Sequence, residues 1–523
     1  MTNIRRFRLL SGRATPLGSA ILSVFALTGC DALWGGFVKE GTLTCVDTGC
    51  SASQVCNHSS GLCEDPTQPP TPLGPLMFRD LSPKFMPMAG GPVEISGSGL
   101  TADTRVTIDS GAVTGVTTNP ELTQLKGTAP KAQKVCIPLP LRLQRGSDSP
   151  IVIPAAFTYR FEPFTVQPWL AFNAVTSKVS QLLPAHMDPD GRLDLVVHHP
   201  LGFRVYYGPD GAGNANIAPG SSTAAYEKIR IGKLTGSPNT DVITIQGKTL
   251  TVEACQPGSG AQGTCSQKGR YDASGLIRDA FAMDALLDPN EELVMVIADP
   301  GVSATISIAP VSNPTISKRT SISTGTEITA ASSGDINLDG KADTLFLVTP
   351  NSLGVSAVTP FGGVQWPPQL VSGTPDGLEA PITGNLDGDA VADVVAYAAS
   401  KSSLYVLLGK SNFTQLNRYS IPIPPAMQTS PAGMDLQIYD VNCDGAGDIV
   451  LSGHDAAYGP YVFLNNGQGE FTAPPTLISV SNFQPTQGGP FAVMDVNRDG
   501  LPDLFLRPAL GVSGLNIGLG VVP

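Results

Sequence analysis

Two apolar patterns run along the chain. Between residues 90 and 161, apolar and polar positions alternate in Val93-Glu94-Ile95-Ser96, Val106-Thr107-Ile108 and Phe157-Thr158-Tyr159-Arg160-Phe161. Period-two alternation predicts strands with one buried face. Gly90-Gly91 opens the first of them and Gly97-Ser98-Gly99 closes it in a turn. Beyond residue 164 the pattern shifts to short, continuously apolar, strand-like runs such as Leu195-Val196-Val197, Ile449-Val450-Leu451 and Leu504-Phe505-Leu506. Each of these follows a polar loop of recurring composition.

The clearest loop is Asp440-Val441-Asn442-Cys443-Asp444-Gly445-Ala446-Gly447-Asp448. Side-chain oxygens fall at its first, third, fifth and ninth places, and Gly445 stands sixth. A hard cation such as calcium takes roughly six to eight oxygens at about 2.3–2.6 Å, and a tight loop with alternate residues turned inward supplies them. Gly445 lets the backbone reverse, so that the Ala446 carbonyl becomes a further donor. A strand-like run follows instead of a helix, which argues against an EF-hand. The pattern recurs with Asp335, Asn337, Asp339, the Lys341 carbonyl and Asp343, and again with Asp495, Asn497, Asp499, the Leu501 carbonyl and Asp503. A variant offers Asn385, Asp387, Asp389, the Val391 carbonyl and Asp393, with Ala390 in place of the sixth Gly. Three copies are worn. Asp188, Asp190 and Asp194 follow His186, which replaces the first oxygen donor; Asp284, Asp288 and Glu292 lack the third-place donor, now Leu286; Lys233, Thr235, Ser237 and Asp241 keep only the strand-opening acid.

First places at 186, 233, 284, 335, 385, 440 and 495 are spaced by 47, 51, 51, 50, 55 and 55 residues. A period of that size with several short strands per unit is the signature of a propeller blade, and seven units predict seven blades. The loops resemble FG-GAP/VCBS repeats, the repeat of the integrin alpha-chain propeller. Tyr207-Gly208-Pro209-Asp210-Gly211 and Asn465 to Phe471 are similar to the Gly-rich turn of that family. The resemblance implies calcium in the hairpins of blades four to seven, about four sites, with a fifth open in blade one.

Closure of the ring is a separate expectation. After its loop the seventh unit holds Leu504–Leu506 and Leu515–Leu519, one strand short of four, while Phe164 to Leu170 precede the first loop without a blade of their own. The segment 164–170 is therefore expected as the outermost strand of blade seven, where Pro168 is tolerated because an edge strand has N–H groups facing solvent. Closure of this kind removes an open edge.

The alternating region, residues 80–161, resembles an IPT/TIG domain, an immunoglobulin-like sandwich, by its early Gly-Gly and Gly-Ser-Gly turns and its closing Phe-x-Tyr strand. Cys136 is expected at a strand position in its core. The predicted fold class is thus all-β: an Ig-like sandwich followed by a seven-bladed propeller over 162–523, with a small disulfide-stapled segment in front.

That front segment changes the picture of location. Arg5, Arg6, Arg8 and Arg13 precede the apolar stretch Leu17 to Leu27, too short for a lasting membrane span. Leu27-Thr28-Gly29-Cys30 resembles a bacterial lipobox, which implies removal of residues 1–29, acylation of Cys30, and a membrane partner held through that anchor. The expected place is the bacterial cell envelope, periplasmic or surface-exposed. Within 30–79, Cys45, Cys50, Cys56 and Cys63 have four or more residues between neighbours, which suits two disulfides better than zinc; three connectivities stay open. Pro66, Pro69, Pro70, Pro72 and Pro75 then form a stiff spacer. Cys255 and Cys265 bracket a Gly-rich turn and are expected to pair, which leaves Cys136 and Cys443 unassigned.

Gly 57 and Pro 46 with 6% aromatic residues suit many short strands and turns. The formal charge is −12, and −16 once the four Arg of residues 1–29 are gone, which argues against nucleic acid as a partner. Of five His, only His198 and His199 are adjacent, and they read as a strand-end pair. Neither a Gly-x-Ser-x-Gly elbow nor a Walker loop occurs. The expected function is non-enzymatic: a membrane-anchored module that binds a protein or glycan on a propeller face, in adhesion or envelope assembly. The alternative is a polysaccharide lyase or phospholipase-type enzyme on the same propeller, since fold alone does not give function.

Overall fold

A computed structural model describes residues 55–57, 62–64, 74–160 and, apart from short gaps, 166–520. Met1–Pro72 and Leu73–Pro523 form separate compact units. In the first, Val55–Asn57 pairs antiparallel with Leu62–Glu64, which places Cys56 opposite Cys63. Cys30, Cys45 and Cys50 lie outside the described residues.

The second unit opens with a sandwich of two sheets. One orders Met77–Ser82, Gly91–Ser98, Gln124–Ala129 and Thr114–Thr118; the other orders Phe85–Met86, Ile151–Tyr159, Leu139–Arg145, Thr104–Ile108 and Gly111–Ala112. The alternating pattern does what period two requires: Thr104, Val106 and Ile108 are buried while Arg105 is exposed. Ile95, Leu125, Leu141, Leu143 and Phe157 are sealed in one shared core. Each such side chain contributes about 1.5–3 kcal/mol on burial. Tyr159 joins them and satisfies its hydroxyl by donating to the Pro130 carbonyl at 2.6 Å.

Seven sheets follow in chain order, each built on an antiparallel meander: three strands of its own in the last sheet, four in the others, with two further strands added to sheet two. Their first strands are Gln181–Ala185, Lys228–Gly232, Leu276–Met283, Ala330–Gly334, Leu378–Gly384, Met434–Tyr439 and Phe491–Met494. Each touches the next, and Phe491–Met494 returns to Gln181–Ala185. Apolar cores fill the spaces between consecutive sheets; one sets Val196 and Val205 against Ile229 and Val242, and another sets Leu436 and Ile449 near Tyr397 and Leu404. A further core joins Phe505, Ala492 and Met494 of the last sheet to Leu182, Leu195 and Val197 of the first. The arrangement is a closed β-propeller. It explains the continuous apolar runs: a second strand such as Asp194–His199 or Asp393–Ala398 is buried at every position, because neighbouring sheets cover both its faces.

The ring closes as the segment before the first loop predicts. Val166–Phe172 is the outermost strand of the last sheet and pairs antiparallel with Leu515–Gly520, from Val166 opposite Gly520 to Phe172 opposite Leu515. Sheet two carries an addition that sequence reading missed: the hairpin Val311–Ser312/Thr315–Ile316 crosses from sheet three and pairs in parallel with the outer strand Thr264–Asp272 at Arg270.

Candidate cation loops

In every unit the polar loop joins the first strand to the second, so the hairpin ends collect at matching places in each sheet. The loop Asp440–Asp448 is described in full. The Asn442 Oδ1 accepts the Asp444 N–H at 3.0 Å, and the Asp444 Oδ1 accepts the Ala446 N–H at 3.1 Å. Both oxygens of Asp440 reach across the turn, accepting N–H groups of Asp444 and Gly445 at 3.0 and 2.9 Å. Gly445 has φ +83°, a region that costs other residues strain, and it lets the loop fold back under its own first residue. The same i to i+2 ladder appears in sheet five, from Asp387 to Asp389 and Asp389 to Val391, and in sheet one, from Asp188 to Asp190 and Asp190 to Arg192. Alternate side-chain oxygens are thus engaged by the loop's own N–H groups, at the places where a cation loop would present its donors.

The ninth-place acid has a second duty that ligand spacing did not suggest. One oxygen of Asp448 accepts the Val441 N–H at 3.0 Å, and the other accepts the Asn465 N–H at 2.8 Å, beyond the third strand. Asp393 does the same with Leu386 and Gly409, and Asp194 with Met187 and Gly208. The bond to the loop's own N–H groups persists in the worn loops. Asp241 accepts the N–H groups of Leu234 and Thr235 and the Thr235 hydroxyl, and Glu292 accepts the Ala285 N–H. All seven units carry an acid at this place, namely Asp194, Asp241, Glu292, Asp343, Asp393, Asp448 and Asp503. That recurrence, stronger than at any other loop position, was the available signal for a brace.

Electrostatics set the remaining character of the loops. Burial, offset by backbone hydrogen bonds and augmented by Asp444 and Asp440, pushes the Asp448 carboxyl up to about 8. Asp393 is raised to about 7 and Asp194 to about 6, again mainly by burial, with Asp387 and Asp389 or Asp188 and Asp190 adding repulsion. Asp440 is raised as well, first by burial. A divalent cation would reverse this penalty, and the oxygen-only donor set of Asp440, Asn442, Asp444, Asp448 and the Ala446 carbonyl suits calcium. Among the described residues no three His, Cys, Asp or Glu side chains converge as a metal cluster. Asn337, Asp339, Lys341, Asp343, Asn497 and Asp499 lie outside the described residues. Asp335 accepts the Ala392 N–H through its carbonyl at 2.8 Å, and Asp495 accepts the Gly500 N–H at 3.0 Å.

Two of these loops are covered by the sandwich. Cys443, at the fourth place of its loop, forms a disulfide with Cys136, with Cα atoms 4.9 Å apart. This corrects the expectation of a core strand position for Cys136: it precedes the strand Leu139–Arg145 in a bend with φ +59°, partly buried. The two thiols come from units 307 residues apart, which no local spacing reveals. Beside the bridge, an Arg160 guanidinium nitrogen stands 3.8 Å from the Asp444 carboxylate. The Phe85 ring lies against Gly445, where an added Cβ would meet it at 2.8 Å, and Ile137 lies against Gly500 of the next loop. Leu501 completes the seat by entering the sandwich core. The second bridge, Cys255–Cys265, forms as the sequence suggests, across the hairpin of sheet two with S–S 2.01 Å.

His198 and His199 end the strand Asp194–His199 and are buried. His198 lies between the Ser180 hydroxyl at 2.9 Å and the Tyr226 carbonyl at 3.1 Å, so its Nε2–H donates to Tyr226 and its Nδ1 accepts from Ser180. Burial holds its pKa down near about 4. This is a satisfied core histidine.

Residues 440–506 match the family model described as an FG-GAP-like repeat. No curated protein matches the chain. Among solved structures it is similar to an Agrocybe aegerita protein described for specific recognition of non-reducing terminal N-acetylglucosamine, at 15% identity over 65% of this chain and 88% of that one, with TM-score 0.41. The periplasmic gluconolactonase of Pseudomonas aeruginosa is 12% identical over 66% of this chain and 96% of its own, TM-score 0.40. An auxiliary nutrient binding protein of Bacteroides ovatus is 11% identical over 87% and 100%, TM-score 0.33.

Proposed function

We propose that this chain is a membrane-anchored, calcium-stabilised binding module of the bacterial envelope. In this reading the seven sheets are the blades of one seven-bladed propeller, the sandwich is an Ig-like IPT/TIG domain, and Cys30 carries the lipid. The observation that supports it most is the periodic acidic loop at the same hairpin in successive sheets, the last two copies of which fall within the FG-GAP-like match. Periodic carboxylates of this kind serve the scaffold, and a rigid ring with variable connecting segments is a surface for recognition. The partner is a protein or glycan held on a propeller face, and the acidity of the chain argues against nucleic acid.

Calcium, when bound, supplies fixed positive charge among the loop carboxylates. The chain's own residues do the rest: Asp440, Asn442 and Asp444 turn the loop inward, and Asp448 ties it to the sheet. The test is a glycan array and a pull-down from envelope fractions with the purified chain, each with calcium and with chelator. Retention of one glycan class or one envelope protein, lost on chelation, is the expected result. Turnover of an acidic polysaccharide or a phospholipid by the same preparation would overturn it in favour of an enzyme.

A further inference from the structure

The Cys136–Cys443 bridge completes a covalent circuit around the propeller, and we infer that it is a redox-sensitive lock on the seam of the ring. The seam is closed by the pairing of Val166–Phe172 with Leu515–Gly520 and by the apolar core that joins the last sheet to the first. The sandwich ends with the strand Ile151–Tyr159, and only residues 160–165 separate it from the seam strand. Seven steps of chain span at most about 25 Å. The seam strand is joined in turn to the first sheet, which begins at Gln181. Following the chain from Cys136 thus leads through the seam strand, round the first five sheets and into the sixth at Cys443. The disulfide returns directly to Cys136.

Opening the seam moves the first sheet away from the last. With the bridge intact, the sandwich is fixed to the loop of sheet six, and the seam strand stays within a short tether of its partner. Reclosure is then intramolecular at high effective concentration. Without the bridge, the described contacts that still hold the sandwich down include the Arg160–Asp444 pair and the packing of Phe85, Ile137 and Leu501. That ion pair is partly exposed on the Arg160 side and is weak in solvent. Cys136 and Cys443 are both only partly buried, so a small dithiol can reach them. Its thiolate attacks one sulfur to give a mixed disulfide, and its second thiol closes a ring and leaves as the cyclic disulfide. Two electrons pass to the protein, which is left with two thiols.

The inference does not depend on calcium. It is tested by hydrogen exchange on the full chain, oxidised and after treatment with dithiothreitol, followed peptide by peptide. Exchange in 166–172 and 515–520 should accelerate by roughly a hundredfold on reduction, ahead of strands inside the ring such as Asp393–Ala398. A Cys136→Ser/Cys443→Ser chain should show the same pattern without reductant. A Cys255→Ser/Cys265→Ser chain, which lacks the hairpin bridge, should retain normal seam protection until reduced. Unchanged seam exchange on reduction of the parent overturns the inference, as does acceleration spread evenly over all seven sheets. If the double variant fails to fold, the comparison of oxidised and reduced parent still decides the matter.

Discussion

Removing Asp241 separates the brace from the cation. Its loop retains none of the other acidic donors, yet Asp241 is 1% exposed and accepts the Leu234 and Thr235 N–H groups at 2.9 Å each and the Thr235 hydroxyl at 3.0 Å. In Asp241→Ala the hydroxyl can turn elsewhere, but the buried Leu234 N–H and the half-buried Thr235 N–H are stranded at about 1–3 kcal/mol each. Relief from burying a carboxylate, which raises the Asp241 pKa, offsets part of that cost. The net loss is about 2–4 kcal/mol. At roughly 1 °C per kcal/mol for a chain of this size, the melting midpoint should fall by roughly 2–4 °C. Thermal unfolding of the full chain, in calcium and in chelator, is the assay, and the fall should be equal in both. A midpoint within about 1 °C of the parent refutes the brace. A fall confined to calcium would make Asp241 a ligand instead.

Three further outcomes follow from the same structure. Calcium at a hundredfold excess over Kd should stabilise the chain by roughly 2.7 kcal/mol per site, and Asp444→Ala should blunt that response more than Asp241→Ala; identical melting curves with calcium and chelator would reject bound cations. Because the His198 pKa is depressed from 6.5 to about 4, its contribution to stability is complete above pH 6.5 and is lost as pH falls toward 4. The ceiling is about 3 kcal/mol, so His198→Gln should flatten acid unfolding between those values, and an unchanged pH profile would count against it. Cys30→Ser should move the exported chain into the aqueous phase of a detergent extraction; continued partition with detergent would sink the lipobox reading.

Local chemistry made much of this legible. Period-two alternation located the sandwich strands, and continuous apolar runs after each loop located the second strands of the ring, because burial on two faces demands such runs. The lone stretch before the first loop disclosed the seam by counting strands. Contacts between distant units were hidden. Cys136 looked like a core residue because nothing within reach in sequence competed for it, and Cys443 looked idle because its place in the loop is not a donor place. Gly445 was explained by turn geometry alone, yet it also lies under Phe85 of the sandwich, as Gly500 of the next loop lies under Ile137. The brace formed by the ninth-place acids was overlooked for a different reason: a carboxylate in an acidic loop is read as a ligand first.

The seam also fixes an order of events during biosynthesis. Val166–Phe172 emerges before any other strand of the ring, but its partner Leu515–Gly520 is made roughly 340 residues later, which at about 5–20 residues per second is roughly 17–70 s. For all that time the early strand has no native neighbour, and the sheets between can stack only into an open arc. The last sheet is therefore assembled from the oldest and the youngest parts of the propeller. Any chain halted short of Leu515 would leave that first strand unpaired, a hydrogen-bonding edge free to recruit a strand from another molecule.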